Sequence, residues 1–313
     1  MTVLRRLLGA VVLLLVVSVL VFALIHAAPG GPLTLYLENP NVRPEDIVRL
    51  KKALGLDRSL AAQYVSWLRG FVVGEWGYSF SDGRPVIDRL AERVPATLEL
   101  MSVSLLMAGL VAVPAGVISA VRRGRTIDRA TTALSLAGIS LPVFWFGLVL
   151  QLIFAVALGW LPSSGRTSIL GGGPADHVRH LILPSIMLAA VHAAAWSRYI
   201  RAGMLDVLQQ RFLTSVRARG VPERSVVLRH ALRNALLPFV TVVLLDAAIM
   251  VSGAVVTESV FAWPGLGGLF TEALARRDYT VLMALLMLSS SAVIVFNVAA
   301  DALHAAIDPR VAR

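Results

Sequence analysis

Apolar residues gather along this chain into six runs, at 7–28, 97–121, 130–158, 181–197, 235–256 and 281–300, separated by polar stretches. The first, LLGAVVLLLVVSVLVFALIHAA, has 22 residues. As a helix it reaches roughly 33 Å, against a hydrocarbon core of about 30 Å. Each run predicts a membrane-crossing helix, the third kinked at Pro142 and the fourth containing Pro184 and His192. A signal peptide is the rival reading of the first run. Its length, and Pro29-Gly30-Gly31-Pro32 where small residues would mark a cleavage site, favour a retained helix.

The polar stretches have patterns of their own. Residues 29–95 carry nine basic and eight acidic side chains. They predict a small helical cap, with one amphipathic helix over 45–54 closed by Gly55 and another over 61–71 bearing Gln63, Tyr64 and Trp67. Trp67, Trp76 and Tyr78 read as an interfacial aromatic belt. Residues 159–180 are glycine-rich with little net charge. The run from Glu258 to Gly267 holds glycines and a proline that would bend the backbone into a re-entrant or external loop.

One interruption differs from the rest. Residues 197–238 contain Arg198, Arg201, Arg211, Arg217, Arg219, Arg224, Arg229 and Arg233 against Asp206 and Glu223 alone, so this segment lies in water beside the membrane. Gly220 can take the left-handed conformation that ends a helix, and Pro222 suits the first turn of the next. Val227, Ala231 and Ala235 then share one face, Arg229 and Arg233 another. A short helix, a turn and a second helix re-entering the membrane are predicted.

Composition narrows the class. Hydrophobic residues make up 57% of the chain, charged ones 15%, and mean hydropathy is +0.75, which indicates a polytopic, all-α membrane protein. The net charge of +10 does not indicate a nucleic-acid partner, because the arginines fall in short loops between apolar runs. No cysteine is present, which excludes disulfides and thiolate metal sites. The two lysines, Lys51 and Lys52, follow no glycine-rich phosphate loop. If ATP drives this protein, another chain hydrolyses it.

Charge also sets orientation. The N-terminus carries +2, the 121–130 loop +3 and the basic segment +6, while the three alternate segments carry +1, +1 and −1. Six helices with both termini cytoplasmic satisfy the positive-inside rule, in an inner or plasma membrane. Residues 1–28 are then the first span, 29–95 an external cap, and 96–313 a core that includes the cytoplasmic segment 198–234.

Ionisable groups inside the spans are few. Glu99 and Asp301 lie near helix ends and read as solvated at the interface, with Glu99 also a candidate to line a translocation path. Asp246 falls near mid-membrane, either lining that path and meeting a cationic group or a partner residue, or serving as a satisfied structural carboxylate. His192 reads as a packed or hydrogen-bonded interior residue, not a ligand. No histidine or acid cluster at ligand spacing indicates a metal site.

The motifs carry a resemblance. Arg217-Ala218-Arg219-Gly220, then His230, Arg233, Asn234 and Pro238, resemble the coupling motif R-A-x-G…H-x-x-R-N-x-x-x-P of dipeptide/oligopeptide/nickel-type ABC-importer permeases. Thr214 and Val216 depart from it, standing where the family usually has a basic residue and alanine. Leu54-Gly55-Leu56-Asp57, Gln63-Tyr64, Trp67-Leu68, Gly74 to Ser79, Pro85-Val86 and Pro95 to Leu100 resemble the external segment and second-helix entry of the first permease subunit. Glu258-Ser259-Val260-Phe261-Ala262-Trp263-Pro264-Gly265-Leu266-Gly267 resembles the signature E-x-V-F-x-W-P-G-L-G, followed fittingly by Arg277-Asp278-Tyr279 and Asp308-Pro309-Arg310. At Asp246 the family commonly has glutamine.

The resemblance covers essentially the whole chain and implies a type I ABC-importer permease fold. It implies a second homologous permease subunit, an external substrate-binding protein, and two cytoplasmic ATPase subunits that hold the ATP and magnesium, leaving this chain without cofactor or catalysis. It further implies that Arg217, Ala218, Arg219, Gly220, Val221, Glu223, His230, Asn234 and Pro238 serve ATPase coupling. Glu258, Trp263, Pro264, Gly265 and Gly267 would form an external loop or gate. Di- or oligopeptides are the expected cargo, with nickel, opines or glutathione as alternatives. A stand-alone ion-coupled transporter would instead show repeats and paired intramembrane carboxylates, and a membrane-anchored assembly protein would need no turn at Gly220.

Overall fold

The computed structural model describes residues 3–27, 43–53, 56–169 and 171–307. Pro29-Gly30-Gly31-Pro32, Leu54-Gly55, Asp308-Pro309-Arg310 and the side chain of Asp301 lie outside the described residues. Among those described, five helices are long and apolar enough to cross a membrane, and there are six if the bent pair Thr126–Ser140 and Val143–Ala157 counts as one span. The chain packs as two compact units, 1–96 with 265–294, and 97–264 with 295–313.

The first unit contains α1 (Val3–Ala27), α2 (Pro44–Ala53), α3 (Leu60–Val73), the opening turns of α4 (Val86–Val121), α12 (Leu266–Ala275) and the start of α13 (Tyr279–Ile307). Helix α3 begins where Ser59 Oγ accepts the Ala62 amide at 3.4 Å. It ends at Gly74, whose φ of 89° allows the Glu75 amide to reach the Gly70 carbonyl at 2.8 Å. Trp67 packs beside Phe22 and Phe71, and Trp76 stacks on Phe71 and bonds its carbonyl. Both indoles are half-buried by these contacts, whereas Tyr78 is exposed. A cavity of about 820 Å³ opens among Phe22, His26, Trp67, Trp76 and Tyr279. The fully buried Asp278 accepts from Ser79 Oγ and from the Phe80 and Ser81 amides, with Arg89 Nη1 at 3.6 Å.

The second unit is built around α7 (Gly173–Leu208). The rest of α4, α5 (Thr126–Ser140) and α6 (Val143–Leu150) with its π-helical extension Gln151–Ala157 pack around it. They are joined by α8 (Arg211–Ala218), α9 (Glu223–Ser225), the π-helical stretch Val226–Ala231, α10 (Leu232–Gly253) and α11 (Val255–Val260). Small residues set the approaches to α7. A side chain at Gly116 would meet the Ser197 carbonyl and Ile200 at 2.8 Å, and one at Gly138 would meet Ala194 at 3.1 Å. Ser135 and Ser197 share a hydrogen bond of 2.8 Å there.

Four span boundaries depart from expectation, the second span among them, since its helix α4 already begins at Val86. The third span is broken, not kinked, with its halves meeting at 102°. Leu141 is extended (φ −76°, ψ 132°), because the Pro142 ring disfavours helical backbone in the residue before it. The fourth span is not confined to 181–197. Its helix has 36 residues, about 54 Å long, and continues unbroken into the basic segment, so Arg198 and Arg201 belong to α7. The fifth span begins before Ala235, since α9, the π stretch and α10 join into one helix from Glu223 to Met250.

Candidate functional site

The basic segment folds as an elbow. In α8, Leu213 and Val216 are buried in a core that also holds Trp196, Ile200, Met204, Val226, Ala231 and Phe239. Arg211, Phe212, Thr214, Ser215, Arg217 and Ala218 stay exposed on its other side. Arg219 caps the helix, and Gly220, at φ +76° with open space around it, reverses the chain. Pro222 is extended (φ −57°, ψ 138°) and stands at the N-cap of α9, one residue before the first turn expected for it.

Across this bend Arg217 forks onto Glu223, Nε to Oε2 at 3.1 Å and Nη2 to Oε1 at 2.9 Å. Donating to the Glu223 carboxylate holds the Arg217 guanidinium above its ordinary pKa. Val221 packs against the α8 core. Val227, Ala231 and Ala235 are buried on one face, while Arg229, Arg233, Asn234 and Pro238 are exposed. The His230 carbonyl accepts from Asn234 Nδ2 at 2.6 Å, so at this point the backbone of His230, and not its ring, makes the local bond.

Of the eight arginines in the segment, Arg201 turns inward. Its Nε and Nη2 donate to Asp128 Oδ1 and Oδ2 at 2.6 and 2.9 Å. Asp128 also accepts from Ser119 Oγ at 2.5 Å and the Gly124 amide at 2.8 Å. Sequence reasoning counted Asp128 only as a charge. The available signal was that it is the single acid in the arginine-rich 121–130 loop.

Asp246 lies in α10, where Trp196 Nε1 donates to it at 2.5 Å and His192 Nδ1 stands 3.5 Å away. The carboxylate thus has partners within its own chain, and His192, read as a packed or hydrogen-bonded interior residue, is one of them. Glu99 is not simply solvated: Arg166 Nη2 donates to it at 2.8 Å and His177 Nε2 bonds its other oxygen. The Arg166 guanidinium lies 5.9 Å from the centre of the Trp263 ring. Neither Arg166 nor His177 was singled out from the sequence, since the 159–180 stretch shows no helical or strand period.

The signature near Glu258 turns by an unexpected residue. Ala262, at φ 46°, takes the left-handed position, and the Trp263 amide reaches back to the Glu258 carbonyl at 2.8 Å. Glu258 is fully buried and accepts from Thr97 Oγ1 at 2.8 Å; Trp263 is buried and Pro264 half-buried. In the first unit, Gly265 caps α12 and Gly267 is buried within it. Among the described residues no group of three or more His, Asp or Glu side chains is placed to hold a metal ion.

Comparison with known proteins gives this architecture a family. The chain is 40% identical over 311 residues to an oligopeptide transport system permease protein, AppB of Bacillus subtilis, covering 99% of this chain and 98% of that protein. It is also 40% identical over 309 residues, with the same coverage of both chains, to a glutathione transport system permease protein, GsiC of Escherichia coli K12. Among solved structures, two inward-facing crystal forms of the MetNI methionine ABC transporter match with TM-scores of 0.57 and 0.60 at 21% and 20% identity. Each match covers 72% of this chain and 98% of the other, so the type I ABC-importer permease fold is shared. Residues 112–313 match the family of binding-protein-dependent transport system inner membrane components, and residues 1–101 match its N-terminal companion. The chain therefore belongs to this family and is a multi-pass inner-membrane permease subunit of a binding-protein-dependent importer.

Proposed function

We propose that the elbow formed by α8, Gly220 and α9 is the surface on which a cytoplasmic ATPase acts, with both chain termini on that same side. The observation that carries this reading is the two-faced character of α8. Its Leu213–Val216 face is buried in a core shared with α4, α7 and α10. The opposite face stays free for a partner, so a push on α8 is a push on the spanning helices. Two ATPases would close on ATP, and a second homologous permease would complete the path. An external binding protein would deliver cargo to the 29–95 cap, and the Glu258–Gly267 turn would gate the outer side.

Short peptides are the proposed cargo. The AppB and GsiC relatives are named for oligopeptides and for glutathione, which is itself a small peptide. Asp246 and Glu99 are proposed to border the path, each carboxylate held by its own neighbours until a cationic group competes for it. Co-purification from membranes tests the assembly, and uptake of labelled di- and tripeptides into proteoliposomes tests the cargo. A preparation without ATPase subunits, or uptake independent of ATP, overturns the proposal.

A further inference from the structure

We propose that Asp128 and Arg201 form the tie that makes the broken third span follow the elbow, and that they are positioning residues for transport. The inference rests on the reading of α8 as the ATPase-facing surface. Helices α4, α7, α8 and α10 are already one body, because they share a continuous apolar core. Helix α5 contributes no buried side chain to that core. It packs along α7, with the close pass at Gly138 and the Ser135–Ser197 bond within that contact. At its other end it is held by the Asp128 cluster.

That cluster joins three parts of the chain. Ser119 closes α4, Gly124 stands in the following turn at φ +78°, and Arg201 lies in the stretch of α7 that leads to α8. The Asp128 side chain is 6% exposed and that of Arg201 is 29%. A buried carboxylate bonded by four donors from three directions has one low-energy position. Displacing Arg201 along α7 must carry Asp128, and with it the first turn of α5, or break the fork. Through the 102° break at Leu141–Pro142, α5 leads to α6, whose Gly147 passes Met187 of α7 at 2.5 Å for an added side chain. Motion of the elbow is thereby delivered to both halves of the third span.

The test uses the complete importer, both permeases with ATPases and binding protein, in proteoliposomes. ATP hydrolysis and tripeptide uptake are measured together. Asp128→Asn and Arg201→Gln should leave ATPase subunits bound and hydrolysis within about twofold of the parent, yet lower the uptake per ATP about tenfold, the scale of a lost coupling between sites. Arg201→Lys, which keeps the charge but loses the fork, should fall between. The double variant should be no worse than either single one. Uptake and hydrolysis falling in parallel, at an unchanged ratio, would assign the cluster to fold stability alone and overturn the inference. An unchanged uptake would also overturn it. Failure of the parent complex to hold ATPase subunits would instead strike the reading of α8, which separates the two claims.

Discussion

Arg201–Asp128 and Arg217–Glu223 are two forks of the same design in the same compact unit, with Nε on one carboxylate oxygen and Nη2 on the other at 2.6–3.1 Å. They differ in what surrounds them. The Asp128 and Arg201 side chains are 6% and 29% exposed, those of Glu223 and Arg217 61% and 39%. The first pair connects residues 73 positions apart, the second only six. A buried fork with further donors on the same carboxylate has no water to substitute for a lost partner, while an exposed one does. Identical chemistry thus fixes helices to each other in one place and merely shapes a bend in the other.

The sharpest way to break this comparison is Asp128→Ala, which leaves Ser119, Gly124 and Arg201 without their acceptor. Destabilisation near the lower end of the roughly 3–5 kcal/mol seen on breaking buried pairs is expected, read as a lowered unfolding midpoint of the detergent-solubilised protein. Gly116→Val, which inserts a side chain 2.8 Å from the Ser197 carbonyl, should cost about 1–3 kcal/mol by overpacking the α4–α7 contact. It should show the same assay whether overpacking this approach matches the cost of breaking the buried fork.

Gly220→Val places a branched side chain at φ +76° in open space. The expected cost is about 1–2 kcal/mol of backbone strain with no clash, together with weaker ATPase co-elution because the bend is re-aimed. Glu223→Gln should change stability by less than about 1 kcal/mol. Raising ionic strength should erase the difference between Glu223→Gln and the parent, yet leave the Asp128→Ala deficit standing, since salt screens exposed pairs far more than buried ones. Equal salt sensitivity of the two would refute the distinction drawn here.

Much of the elbow was legible beforehand. Eight arginines against two acids can only lie in water, Gly220 was recognisable as a left-handed position, and the spacing of Val227, Ala231 and Ala235 named the face that is buried. Other features were not legible. The π-helical stretch at Val226–Ala231 leaves no compositional mark, and the left-handed residue of the second turn is Ala262 where glycine was expected. The extent of α7 was misjudged because hydropathy reports where lipid ends, not where a helix ends. Backbone hydrogen bonds continue into water as long as no residue interrupts them.

By itself, the order of residues determined six spans, a water-exposed elbow and membership of a permease family, because each depends on local composition, periodicity or motif. The tertiary structure alone decided which carboxylate answers which arginine or histidine: Asp128 to Arg201, Glu99 to Arg166 and His177, Asp246 to His192 and Trp196. Periodicity says which face of a helix is buried but not which other face it meets. That choice is made where glycines such as Gly116 and Gly138 let backbones approach, and charges brought inside by that approach must then find a partner or not be buried at all.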